Sequence, residues 1–250
     1  MTNDWRQELK NLPSIVPRFE LEPQATALVI VDMQYMFAHP DYGHGAMLKS
    51  RYPQAAAYLF QRLNETVIPN SQRILKFFRE NQLRVIYLTV GSALPDGADM
   101  VPLTREKGTD ARAKARRYGK WLARVGSQEH KILAELAPIP GELVINKTSF
   151  SAFNSTGIDS ALRNMRIEYL VFTGTATNVC VETTARDAAD KGYRAIIVED
   201  AVATITPEFQ EVTLKGFASN FGRVETTETV CEELKRKLAW TGETLNTNLR

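Results

Sequence analysis

Residues 169–200 read YLVFTGTATNVCVETTARDAADKGYRAIIVED. A continuous β-branched and aromatic run, Tyr169–Thr173, passes through a small polar turn, Gly174–Asn178, into a stretch of helical composition, Asn178–Lys191. Gly192 is placed to stop that helix, and a second apolar run, Ala195–Glu199, follows it. Continuous rather than alternating apolar runs suit parallel strands covered on both faces. Strand, helix and parallel strand in this order make a right-handed βαβ unit.

The same alternation extends outward in both directions. Further runs lie at Ala27–Val31 (ALVIV), Arg84–Val90 (RVIYLTV) and Leu143–Asn146 (LVIN), with a weaker sixth near Arg223–Thr227. Helical stretches are expected over Ala55–Asn81, Gln128–Leu136, Gly157–Asn164 and Pro207–Gly216, with Ser155 or Thr156 as the N-cap of the third. The predicted fold is α/β: a three-layer, doubly wound sheet of about six mainly parallel strands with helices on both faces. Residues 1–250 are read as a single domain, with 1–24 an N-terminal extension and 94–125 an insertion.

Composition narrows the chemistry. The chain has 250 residues, 44% of them apolar and 24% charged, and a net charge of +2. That balance excludes disorder as the main state and gives no global pull toward nucleic acid or membranes. No stretch approaches the roughly 20 uninterrupted apolar residues a spanning helix needs. The N-terminus lacks the apolar core of a secretory signal, so a reducing cytoplasm is the expected compartment. Two cysteines cannot build a disulfide framework, and the three histidines, His39, His44 and His130, are scattered. No metal and no cofactor are expected. The insertion departs from the average: residues 105–124 hold eight basic side chains against Glu106 and Asp110. Two readings fit it equally, a cover over a site at the sheet's edge or a solvated basic helix.

Three residues share one topological property. Asp32 follows the first strand, Lys147 follows LVIN, and Cys180 follows YLVFT and its turn. All three belong on the carboxyl edge of the sheet, where open α/β folds bind ligands. Singly, each has an ordinary reading as a cap, a solvated lysine or a small buried hydrophobe. Together they supply a nucleophile, a base and a cation. A helix start and a neighbouring ammonium are expected to lower the thiol pKa of Cys180, and Asp32 can take its proton. The Gly174–Asn178 turn delivers backbone N–H groups suited to an oxyanion hole.

VIVDMQ around Asp32, INKTSFSAFNST around Lys147 and TGTATNVCVETTARDAADKGYRAIIVEDA around Cys180 resemble the isochorismatase-like cysteine hydrolase superfamily. The resemblance runs from about Thr26 to Leu238. It implies an Asp32–Lys147–Cys180 triad, a cis peptide at Thr175–Ala176, an oxyanion hole from the Ala176 and Cys180 amides, and a homo-oligomer (dimer or tetramer). The region TVGSALPDGADM has no histidine, unlike the metal-binding nicotinamidases. An intact Cys180 points to acyl chemistry rather than the vinyl-ether cleavage of true isochorismatases. Ureidoacrylate amidohydrolases, N-carbamoylsarcosine amidases and biuret hydrolases are the most similar branches.

Phe37, Phe150 and Phe153 are candidates to wall a small-molecule pocket, or simply pack. Asn178 is a candidate to bind a carbamoyl group, or caps its helix. A basic residue of 105–124 is a candidate partner for a substrate carboxylate. Cys231, in the helical TVCEELKRKL, is read as packing. Outside this class, a dinucleotide-binding protein is disfavoured because Asp32-Met33-Gln34 stands where G-x-G-x-x-G belongs. Nucleic-acid binding through the insertion is disfavoured by its few aromatics, Tyr118 and Trp121.

Overall fold

A computed structural model of the chain describes residues 5–11, 16–102 and 123–247. In chain order the elements are α1 (Trp5–Lys10), β1 (Thr26–Val31), α2 (Tyr35–Ala38), α3 (Gly43–Arg51), α4 (Pro53–Arg62), α5 (Ile68–Glu80), β2 (Arg84–Val90), β3 (Leu143–Lys147), α6 (Ile158–Asn164), β4 (Tyr169–Thr175), α7 (Glu182–Asp190), β5 (Arg194–Ala203), α8 (Pro207–Asn220), β6 (Gly222–Glu225) and α9 (Thr227–Thr247). The strands form one six-stranded sheet in the order β3-β2-β1-β4-β5-β6. All five pairings are parallel. Strand order reverses between β1 and β4, which makes the crevice beyond their carboxyl ends the expected ligand site.

Burial follows from the apolar runs. Every residue of β1 and β4 is buried. Leu28 and Ile30 face one apolar cluster with Leu59, Leu63, Ile74 and Phe78. Ala27, Val29 and Val31 face another with Leu162, Val181, Ala185 and Phe217. The N-terminal extension is tied to this body: Leu9 joins the second cluster, and the Leu21 N–H donates to Glu233 Oε1 at 2.7 Å. Among the described residues no helix is long and apolar enough to cross a membrane.

Several boundaries depart from the sequence reading. The stretch 55–81 is two helices joined by a wide π turn at Leu63–Val67. Pro69 lies just beyond and has no N–H with which to close an α turn on Glu65. The expected helix over Gln128–Leu136 does not form; its residues make turns and a short 3₁₀ segment, Ala134–Leu136. Here tertiary pairing overrides local propensity. The Lys131 and Glu129 carbonyls accept from the Tyr35 and Met36 N–H groups, and the Leu133 N–H donates to Met33. The N-cap position of α6 is Gly157, although the Thr156 hydroxyl does accept from the Ile158 N–H at 3.1 Å. The short helices α2 and α3 were not anticipated. Of the insertion, residues 103–122 lie outside the described residues, and with them the expected cover or basic helix.

Gly174 holds the switch point together. It pairs with Val31 across β1 and β4 and has a φ of +114°. A Cβ there would lie 2.0 Å from the Val31 carbonyl oxygen, so only glycine allows the approach. Gly174→Ala is expected to cost about 2–4 kcal/mol, lowering Tm by roughly 4–16 °C. Thermal denaturation followed by circular dichroism checks this, and an unchanged Tm contradicts it.

Candidate active site

Three strand ends deliver the polar cluster. Asp32 leaves β1 with a left-handed φ of 50°, a conformation Asp tolerates better than most residues. Its N–H donates to the Leu88 carbonyl of β2, which pins the turn. Gln34 ties the same two ends together: its Nε2 donates to Val90 O and His130 O, and its Oε1 accepts from the Val90 N–H. Lys147 ends β3, two strands away. Its side chain spans the end of β2 to reach Asp32, and both groups are buried, at 0% and 1% exposure.

Lys147 Nζ donates to Asp32 Oδ2 at 2.8 Å, to the Ser149 carbonyl at 3.2 Å and to Cys180 Sγ at 3.4 Å. Those three bonds use all three of its protons. The serines of the SFSAFNS stretch hold the Ser149 carbonyl in place. Ser149 Oγ donates to Ser151 O at 2.6 Å and lies 2.8 Å from Ser155 Oγ, which accepts from the Thr148 N–H. Burial acts against the Lys147 ammonium, but the Asp32 carboxylate and the Cys180 sulfur outweigh it and hold its pKa above the ordinary lysine value.

Cys180 departs from the expectation of a lowered pKa. Burial, and then the Asp32 carboxylate, push the thiol up to about 12; Lys147 opposes them and loses. One structural reason accounts for this: the Lys147 charge is already matched by Asp32 at 2.8 Å. The thiol therefore stays protonated at neutral pH. Cys180 itself lies in the opening π turn of the helix, Thr177–Val181, which runs directly into α7. Asp32 Oδ1 is buried and has no hydrogen-bond partner among the described residues.

The cluster opens into a cavity of about 350 Å³ lined by Asp32, Cys180, Thr175 and Ala176 at one part of its wall. Ala176 follows a cis Thr175–Ala176 peptide bond. Phe37 and Phe150 line the cavity as expected. Phe153 does not: its ring lies 5.8 Å from the Tyr193 ring and packs on the flank of the sheet. Asn178 is also outside the lining; its Oδ1 accepts from Thr204 Oγ1 at 2.5 Å, so it neither caps the helix nor faces the cavity. Cys231 is half-buried and packs on the core.

His44 lines the cavity from the first turn of α3, its ring centroid 5.9 Å from that of Phe37. Sequence reading passed over it because a short helix between two glycines carries no periodicity to orient it. Met100 and Ala123, which flank residues 103–122, line the cavity as well. Among the described residues no three His, Cys, Asp or Glu side chains are grouped to hold a metal ion.

A doubly wound parallel sheet with a buried aspartate, lysine and cysteine at its switch point defines a narrow class. The isochorismatase domain family matches residues 26–229, and the chain belongs to the isochorismatase family. Solved structures agree. A cysteine hydrolase from Pseudomonas syringae pv. phaseolicola is 26% identical, with a TM-score of 0.73 over 90% of this chain and 100% of that one. An isochorismatase family protein from Desulfovibrio vulgaris is 25% identical, with a TM-score of 0.67 over 84% and 98%. N-carbamoylsarcosine amidase from Thermoplasma acidophilum is 27% identical, with a TM-score of 0.58 over 81% and 96%.

Two predictions follow from this electrostatics. Lys147→Met leaves the Asp32 carboxylate buried without its cation and is expected to cost about 3–5 kcal/mol; urea denaturation should also show Asp32→Asn recovering part of that loss in the double variant. For the thiol, the reactive thiolate fraction falls tenfold per pH unit below the pKa. In a Cys231→Ser background, iodoacetamide should therefore modify Cys180 slowly at pH 7, at a rate still climbing above pH 9. A plateau below pH 8 in the alkylation rate contradicts the assignment.

Proposed function

We propose that this protein is a metal-independent cysteine amidohydrolase that cleaves the C–N bond of a small linear amide, ureido or carbamoyl compound. The observation that carries this reading is the Asp32–Lys147–Cys180 contact at the wall of the cavity. N-carbamoylsarcosine amidase among the structural neighbours supports the amide class.

The chemistry follows from the charges. Because the thiol is neutral at rest, Asp32 takes its proton as Sγ attacks the carbonyl carbon. The oxyanion that forms is held by the Ala176 and Cys180 N–H groups. Lys147 keeps the Asp32 carboxylate oriented and stabilises negative charge on sulfur. Asp32 then passes the proton to the leaving nitrogen, the C–N bond breaks, and ammonia departs from a thioester. Water, deprotonated by Asp32, attacks the thioester carbonyl; the acid leaves and the proton returns to Sγ. A ureido substrate gives a carbamate, which loses carbon dioxide.

Cys180→Ala is expected to lower ammonia release by at least about 10³-fold while leaving the far-ultraviolet circular dichroism and Tm unchanged. Full ammonia release in that folded variant overturns the nucleophilic role of Cys180.

A further inference from the structure

The cavity has a polar part and an apolar remainder. Beyond Asp32 and Cys180, its hydroxyl-bearing residues direct their protons into the fold. Thr175 Oγ1 donates to the Ala203 carbonyl at 3.2 Å, and Thr204 Oγ1 donates to Asn178 Oδ1. Met36, Phe37, Leu59, Met100, Phe150 and Ile205 supply much of the rest of the wall. Among the described residues neither Lys nor Arg lines the cavity. The Lys147 ammonium lies behind Asp32, fully committed to its three acceptors.

Against the Met36, Phe37, Leu59, Met100, Phe150 and Ile205 side chains a second carboxylate or a string of amides would lose its water without a partner; beyond Asp32 and Cys180, His44 is the one titratable side chain among the described lining residues. A hydrocarbon group would lose nothing of the kind and gain contact with aromatic faces and adaptable thioethers. Size adds a second constraint. With about 30 Å³ as the volume share of one water molecule, a cavity of about 350 Å³ accommodates roughly a dozen non-hydrogen atoms.

From this we infer that the substrate is a primary amide or monosubstituted urea whose remaining body is apolar, an aryl or alkyl group of about phenyl or benzyl size. The inference rests on the amidohydrolase reading of the same site. It favours a ligand recognised by hydrophobic burial over ureidoacrylate, N-carbamoyl amino acids and biuret; the basic residues expected to meet a carboxylate lie mostly within residues 103–122, outside the described residues. The carbonyl is held at Cys180, and the body lies against Phe37, Phe150 and Ile205.

Calorimetric titration of the full-length Cys180→Ala protein tests it without turnover. Benzylurea and phenylacetamide are expected to bind at least about tenfold more tightly than N-carbamoylglycine or biuret, as burial of one aromatic ring predicts. Ile205→Asn, at a half-buried lining position, in the same background should cut that preference at least threefold by weakening the apolar ligands alone. Equal or tighter binding of N-carbamoylglycine or biuret overturns the inference, as does failure of the apolar ligands to bind. Ammonia release by the wild-type enzyme separates the two claims. Cys180-dependent release that is fastest with biuret or N-carbamoylglycine sinks the substrate inference and leaves the amidohydrolase reading standing. Absence of ammonia release from every amide, urea and carbamoyl compound offered sinks the amidohydrolase reading instead, and release that survives Cys180→Ala sinks its cysteine mechanism.

Discussion

The ion pair between Lys147 Nζ and Asp32 Oδ2, 2.8 Å long and removed from solvent, is the constraint on which the rest of the site depends. Burying either charge alone costs several kcal/mol, and the pair is tolerated only because every proton and most lone pairs nearby are satisfied. That requirement reaches well beyond the two residues. It demands that β1, β2 and β3 end in register, which Gln34 secures between β1 and β2. It also demands a carbonyl at Ser149, which the serine hydrogen bonds after β3 hold in place.

The same pair bears on the protonation state of Cys180. A free ammonium 3.4 Å from a thiol would be expected to ionise it. Here the ammonium is matched by a carboxylate, and burial keeps the thiol neutral. In the proposed reaction the thiol proton is the one that passes from sulfur to Asp32. A thiol held in this way is poorly reactive toward solvent oxidants, since the thiolate is the reactive form. The close approach at Gly174 brings β4, and with it Cys180, against the end of β1. The cavity, with Met36, Phe37, Leu59, Phe150 and Ile205 in its lining, opens beside them.

The strands and the Asp32, Lys147 and Cys180 positions were legible because strand runs are local signals and a residue after a strand inherits its edge. The missed features depend on contacts between distant segments. Residues 128–136 have helical composition, yet they pair with residues 33–36 and stay irregular. Phe153 and Phe150 are three residues apart in one loop, yet Phe150 lines the cavity and Phe153 packs against Tyr193. Asn178 lies two residues from Cys180 and still turns to Thr204.

By itself, the sequence determined the doubly wound sheet and the set of groups brought to one edge, because apolar run length and strand order are properties of the chain. Tertiary structure alone decided their charge states and the character of the space above them. A thiol's proton affinity depends on burial and on how its neighbours' charges are matched, and a cavity's polarity depends on where each hydroxyl spends its proton. Both are sums over residues far apart in the chain, and no local pattern records them.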